Sequence, residues 1–173
     1  MKDIKSKKIL SEKLNLKVEE IKEGLSVGGS LYLRGTQITE LPDNLSVGGS
    51  LDLGGTQITE LPDNLSVGGS LDLGGTQITE LPDNLSVGGS LYLDVKSFKS
   101  CLSYRENCGN NNRTIFSVFI GGQFNISAGC FFDGFDKFVA AVKNDYSGKS
   151  AENYIKKAQD CVNELTQKLS NKS

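Results

Sequence analysis

Residues 45–64 and 65–84 are the same twenty letters, LSVGGSLDLGGTQITELPDN, and residues 25–44 depart from them only in Tyr32 for Asp52 and Arg34 for Gly54. A unit this short cannot bury its own apolar side chains, so tandem copies must stack along an axis and share one core. Degenerate copies flank the intact ones. Leu16 to Leu31 matches Thr36 to Leu51 in frame, with Val18 for Ile38 and Ile21 for Leu41, and Leu85 to Leu93 supplies a last half-coil before the pattern stops at Asp94.

Within one coil the apolar positions are Leu45, Val47, Leu51, Leu53, Ile58 and Leu61. Leu45 and Val47, then Leu51 and Leu53, alternate with Ser46 and Asp52, the period of a strand with one buried face. Gly48-Gly49 permits a bend or a close backbone approach, Gly54-Gly55 ends the second strand, and Leu61-Pro62-Asp63-Asn64 closes the coil in a turn. No part of the coil has helical spacing. The expectation is a mainly β chain with α caps: a helical cap over 1–24 whose degenerate half-coil starts at 16, a parallel solenoid over 25–93, and a separate module over 94–173.

The stretch Leu51-Asp52-Leu53-Gly54-Gly55-Thr56-Gln57-Ile58-Thr59-Glu60-Leu61-Pro62 resembles LxLxxNxLxxLP, the core of the leucine-rich repeat. The twenty-residue period and the Leu-Pro step look like the short bacterial class found in secreted effectors of enteric pathogens. Thr36, Thr56 and Thr76 stand where that family has its ladder asparagine, and are expected to bond backbone amides along the stack. Gly48 stands where it has a leucine, leaving Val47 to fill that part of the core. The resemblance covers 78 of 173 residues and implies a parallel solenoid. A curved horseshoe and a straighter β-solenoid with two short strands per coil both fit it.

Charge is segregated along the chain. Residues 25–93 carry eight acidic side chains against Arg34 alone, a local net of −7 within a chain of net −2. Stacking places Glu40, Glu60 and Glu80 in one column and Asp43, Asp63 and Asp83 in another, with neighbours about 5 Å apart. The plain reading is a solvated acidic edge; the sharper one is a docking surface for a basic protein partner. Direct nucleic-acid binding is not expected, since phosphate contacts need a basic surface. A third column, Tyr32, Asp52, Asp72 and Tyr92, points away from the core leucines, on the face that meets ligands in leucine-rich repeats. Tyrosines flanking aspartates there would supply aromatic anchors and acceptors. The plain alternative is ordinary polar-face strand residues.

The N-terminal segment Ile9 to Gly24 has the rhythm of a helix, a turn at Asn15-Leu16 and a second helix start, as in the first part of a DNA-binding helix-turn-helix. Leu25 begins the first intact coil, leaving no recognition helix. The favoured reading is an amphipathic cap with Ile4, Leu10 and Leu14 turned inward.

Beyond Asp94 the Asn-Gly cluster in Val95 to Asn112 reads as a loop. Thr114 to Ile120, Gly121-Gly122 and Gln123 to Ala128 read as a hairpin. Asp133 is a candidate cap for a helix bearing Phe135, Phe138, Val139, Val142 and Tyr146, and Ser150 for a helix bearing Tyr154, Ile155, Ala158, Cys161, Val162, Leu165 and Leu169. This ββαα module reads as a solenoid cap. Its polar loop residues Arg105, Glu106, Asn110, Asn111, Asn112 and Arg113 are the functional candidates.

Chemistry is sparse. The chain has no histidine, and its GGS and GGT steps lack the Lys-Ser/Thr ending of a phosphate loop. Cys101, Cys108, Cys130 and Cys161 fit no short metal motif and read as free structural thiols, a cysteine enzyme being the weakest alternative. No cofactor is expected. There is no apolar run long enough to span a membrane and no secretory signal, which points to the cytoplasm, with secretion into a host without a cleaved signal as the alternative. The leading expectation is a non-catalytic protein-binding module of bacterial or phage type, an adaptor or inhibitor; the rival is a structural solenoid that self-associates.

Overall fold

A computed structural model describes residues 3–98, 101–108 and 113–171. The chain forms two compact units, Met1–Ser97 and Phe98–Ser173.

In the first unit each coil contributes two strands of two residues. Strands β1 (Ser26–Val27), β3 (Ser46–Val47), β5 (Ser66–Val67) and β7 (Ser86–Val87) form one parallel sheet, and β2 (Leu31–Tyr32), β4 (Leu51–Asp52), β6 (Leu71–Asp72) and β8 (Leu91–Tyr92) a second. Register advances by twenty residues at every step, Leu31 to Leu51 to Leu71 to Leu91. Identical sequence sits on identical sequence, and the result is a parallel β-solenoid. The six apolar positions of the coil all turn inward: Leu45, Val47, Leu51, Leu53, Ile58 and Leu61 are buried.

The corner at Gly48-Gly49 shows why its residues have no side chain. Gly48 N–H donates to Val27 C=O and Gly49 N–H to Gly29 C=O, which brings successive coils together backbone on backbone. A Cβ on Gly48 would lie 2.5 Å from the Gly28 carbonyl oxygen, and one on Gly88 the same distance from that of Gly68. Gly28, in the first coil, has nothing in that place.

The side-chain ladder differs from the expected one. Thr36, Thr56 and Thr76 each donate the hydroxyl to the carbonyl of Leu33, Leu53 or Leu73 in their own coil. They close a local turn, because a short side chain reaches a carbonyl three residues back more readily than the next coil. Serine links the coils instead: Ser50, Ser70 and Ser90 N–H donate to the Oγ of Ser30, Ser50 and Ser70, at 3.0–3.1 Å. Asn44 and Asn64 add a second link at the closing turn, with Asn64 Nδ2 donating to Asn44 Oδ1 at 2.9 Å. Both asparagines take the left-handed backbone that this residue tolerates.

Helix α1 (Ile4–Leu14) precedes the coils. Asp3 caps it by accepting from Lys5 and Ser6 N–H, and Asn15, at φ 52°, ends it. Ser6 Oγ accepts from Thr39 N–H at 2.9 Å, and Asp3 Oδ2 from the Thr39 hydroxyl at 3.0 Å, tying the helix to the first coil. Leu10 is buried and Leu14 half-buried, but Ile4 is 66 % exposed, against expectation. Six residues put Ile4 about 240° around the helix from Leu10, on the other face, whereas Leu14 follows Leu10 by four. The second helix of a helix-turn-helix does not form; Val18–Glu20 is one 3₁₀ turn.

The second unit is an antiparallel sheet in the order β12-β11-β10-β9, formed by β9 (Leu102–Cys108), β10 (Arg113–Ile120), β11 (Gln123–Ala128) and β12 (Phe131–Gly134), with helices α2 (Phe135–Asp145) and α3 (Gly148–Ser170). The expected hairpin is its centre. Gly121 and Gly122, both at positive φ, make the two-residue turn, and Ile120 pairs with Gln123. Two further strands flank it, so the segment read as a loop is in part the edge strand β9. Helix α3 packs on β9 and β10, and α2 on β11, β12 and α3. Cys108, Ile115, Ile126, Phe138, Tyr154 and Ala158 lie at the centre of that core. The expected caps are displaced. Gly134 stands at the α2 N-cap, while Asp133 accepts from Gly134 N–H at 2.7 Å and pairs with Lys137 at 2.8 Å. Ser150 lies inside α3, whose N-cap is Ser147. Among the described residues no helix is long and apolar enough to cross a membrane.

Candidate functional site

Register brings Tyr32, Asp52, Asp72 and Tyr92 into one column, each paired with the next. The tyrosines at its two ends are 62 % and 45 % exposed, large values for aromatic side chains. Three parallel steps separate them by about 14 Å. Between them the two aspartates stand close enough to repel, and Arg34 resolves this. Its Nε pairs with Asp52 Oδ2 at 2.9 Å and its Nη2 with Asp72 Oδ2. The remaining oxygens, Asp52 Oδ1 and Asp72 Oδ1, accept from Gly54 and Gly74 N–H at 2.9 and 2.8 Å. Bonding to Asp52, and then the charge of Asp72, raises the Arg34 pKa above its ordinary value.

The aspartates are therefore not open acceptors, as the sequence suggested; both their oxygens are engaged within the molecule. The guanidinium also lies over Gly54, where a Cβ would collide with it. Tyr32 and Arg34, the two departures of the first intact coil from the others, thus act in one place. The signal for Arg34 was present in the repeat, since stacking puts position 34 beside 54.

Along the closing turns, Glu40, Asp43, Glu60 and Asp63 border a shared concavity of about 410 Å³. Glu40 is drawn on by Asp3 N–H, which donates to its carboxylate. No group of acidic and cysteine side chains among the described residues is arranged to hold a metal ion.

The loop candidates of the second unit separate. Arg105 is a strand residue whose Nη1 donates to Glu164 Oε2 at 2.8 Å and to Tyr104 C=O at 2.9 Å, fastening β9 to α3. Glu106 is exposed on the same strand. Asn110, Asn111 and Asn112 lie outside the described residues. Arg113 opens β10 and lies on the rim of a cleft of about 280 Å³. The floor of that cleft is apolar and buried, formed by Ala128, Phe138, Val142 and Tyr154. Phe131 and Tyr146 form its walls, in an unbroken train of rings: Phe131 to Phe138, Phe138 to Tyr154 and Tyr154 to Tyr146, with centroids 5.5–5.6 Å apart. Sequence reasoning assigned Phe138, Tyr146 and Tyr154 to helix core stripes; a cleft among them depends on how two helices and a sheet splay, which periodicity does not encode.

None of the four cysteines is in a disulfide. Burial pushes the Cys161 thiol up to about 11, away from the thiolate a nucleophile needs. Compared with protein-family models, curated proteins and solved structures, the chain matches none.

Proposed function

We propose that the chain is a non-catalytic protein-binding module of bacterial or phage type, an adaptor or inhibitor, whose partner docks on the strand face of a leucine-rich-repeat-like solenoid. The observation that carries this is the column itself: two exposed tyrosines held at fixed spacing on a stacked scaffold, with an Arg-Asp-Asp network locked between them. Tyrosine supplies large contact area at little entropic cost, and rigid aromatic anchors dominate binding energy at interfaces. Because Arg34 occupies the aspartates, long-range attraction for a basic partner falls to the acidic side chains of the closing turns, Glu60 and Asp63 among them, and steers the approach. Of the second unit's candidates, Arg113 offers a contact, while Arg105 is engaged with Glu164. A cytoplasmic setting suits four cysteines that form no disulfide.

Affinity capture from the native cell tests the proposal, comparing the wild-type chain with a Tyr32→Ala/Tyr92→Ala variant of unchanged circular dichroism. Each anchor should be worth about 2 kcal/mol, so the double variant should lose the partner. Retained capture would remove the strand face from the reading. Oligomers seen by light scattering that vanish in the same variant would instead make the column a self-association surface.

A further inference from the structure

The cleft in the second unit is built like a ligand site: an apolar floor of buried side chains, aromatic walls and a rim bearing a few charges. Its volume of about 280 Å³ lies at the small end of such sites, which suits one side chain and its attached polar groups. Two of its charged residues decide what those groups are. The three arginines of the chain differ in their partners: Arg34 and Arg105 are ion-paired, whereas no carboxylate among the described residues pairs with Arg113. Arg113 lies against Tyr154, whose pKa burial raises and the guanidinium draws back, and its Nη1 lies close to Gly129. A guanidinium held at the mouth of an apolar cleft, presenting a planar fork of donors, is the group that fixes a carboxylate. Asp145, at the last turn of α2, carries the opposite charge on the same rim. Like the C-terminal end of that helix it repels an anion and attracts an N–H donor, so a ligand bearing both groups is oriented.

We propose that this cleft binds a hydrophobic α-amino-acid moiety with a free carboxylate, its side chain against Phe138 and Tyr154, its carboxylate on Arg113 and its N–H toward Asp145. The moiety is either a free amino acid or the last residue of a polypeptide. The strand-face reading rests on Tyr32 and Tyr92, which belong to the other unit, and shares only Arg113 with this site, so either can fail without the other.

Titration of the full chain by heteronuclear NMR tests it, with phenylalanine, phenylalaninamide, the peptide Ala-Ala-Phe and its C-terminal amide as probes. Both free carboxylates should shift resonances of the cleft, and each amide should bind about tenfold more weakly or worse, the loss expected when a charge-assisted pair is removed. Arg113→Gln should erase the difference between acid and amide, and Arg113→Lys should keep part of it, which also guards against a variant that misfolds. Tighter binding of Ala-Ala-Phe than of phenylalanine identifies a polypeptide terminus as the source, and the reverse order a free amino acid. Equal binding of acid and amide, acid binding unaffected in Arg113→Gln, or no saturable shift with any probe up to about 10 mM would overturn the proposal.

Discussion

Identical letters do not carry identical duties, and the glycines of the coil show it most directly. Gly28 and Gly48 occupy the same position of successive repeats, yet only Gly48 faces a carbonyl oxygen where its Cβ would be, because Gly28 belongs to the first intact coil. The three nearest atoms at Gly48 are all backbone atoms of Gly28, so the crowding cannot be relieved by a rotamer change and the coils must move apart. Gly48→Ala should therefore cost about 1–3 kcal/mol, as overpacking does, while Gly28→Ala should stay within about 0.5 kcal/mol. Urea unfolding followed by circular dichroism checks the pair. Equal losses at both positions would mean that the glycines serve the turn itself and not the contact between coils. The same positional logic explains Arg34: its side chain needs the space left by Gly54, so an arginine is compatible with this column only where the next coil has no side chain.

At the scale of the element, the join of β9 to α3 rests on Glu164, which receives Arg105 at 2.8 Å and Lys168 at 3.0 Å. Bonding to Lys168 first, and to Arg105 against the cost of burial, lowers its pKa from an ordinary 4.5 to about 2. A carboxylate whose folded pKa is depressed contributes stability that is complete above its unfolded value. That contribution is lost as pH falls through the folded one. The side chain is 40 % exposed, so solvent screens the pair and the effect is modest. Glu164→Gln should lower the melting temperature at pH 7, and the two melting curves should converge between pH 4.5 and 2. A constant gap across that window would place the loss in packing, not charge. This strand was also the element least legible in the sequence. The solenoid strands could be read because a twenty-residue period fixes register by itself, and the central hairpin because Gly121-Gly122 marks a two-residue turn. Strands β9 and β12 lie at the sheet edges, where LSYRENC mixes exposed polar residues with buried ones and FFDG is four residues long. Edge strands of that kind look like loops until their partner is known. Column residues Tyr32 and Tyr92 were legible for the same reason as the register; the cleft was not, since it depends on how two helices and a sheet splay, which no period in the sequence encodes.

At the scale of the whole molecule, the decisive property is that coils 45–64 and 65–84 are interchangeable. Each coil contacts its neighbours through the same hydrogen bonds, Ser66 N–H to Leu45 C=O and Leu51 N–H to Ser70 C=O, so stability is close to a sum of repeated interfaces. Deleting residues 45–64 removes one coil and leaves every junction with a sequence already present in the chain. The shortened protein should fold, with strand signal reduced and an unfolding midpoint lowered by the loss of one interface. Deleting only 45–54 should not give a folded array, because half a period puts Leu25 under Gly55 in place of Leu45 and breaks both sheets. Circular dichroism and urea unfolding of the two deletions decide this. The whole-coil deletion also tests recognition, since it brings Tyr32 and Tyr92 closer by one parallel step, about 5 Å, and leaves Arg34 with a single aspartate. A partner that grips both tyrosines at once should be released by this change although neither tyrosine is touched. A partner bound through one of them alone should be kept, and the comparison with Tyr32→Ala then says which.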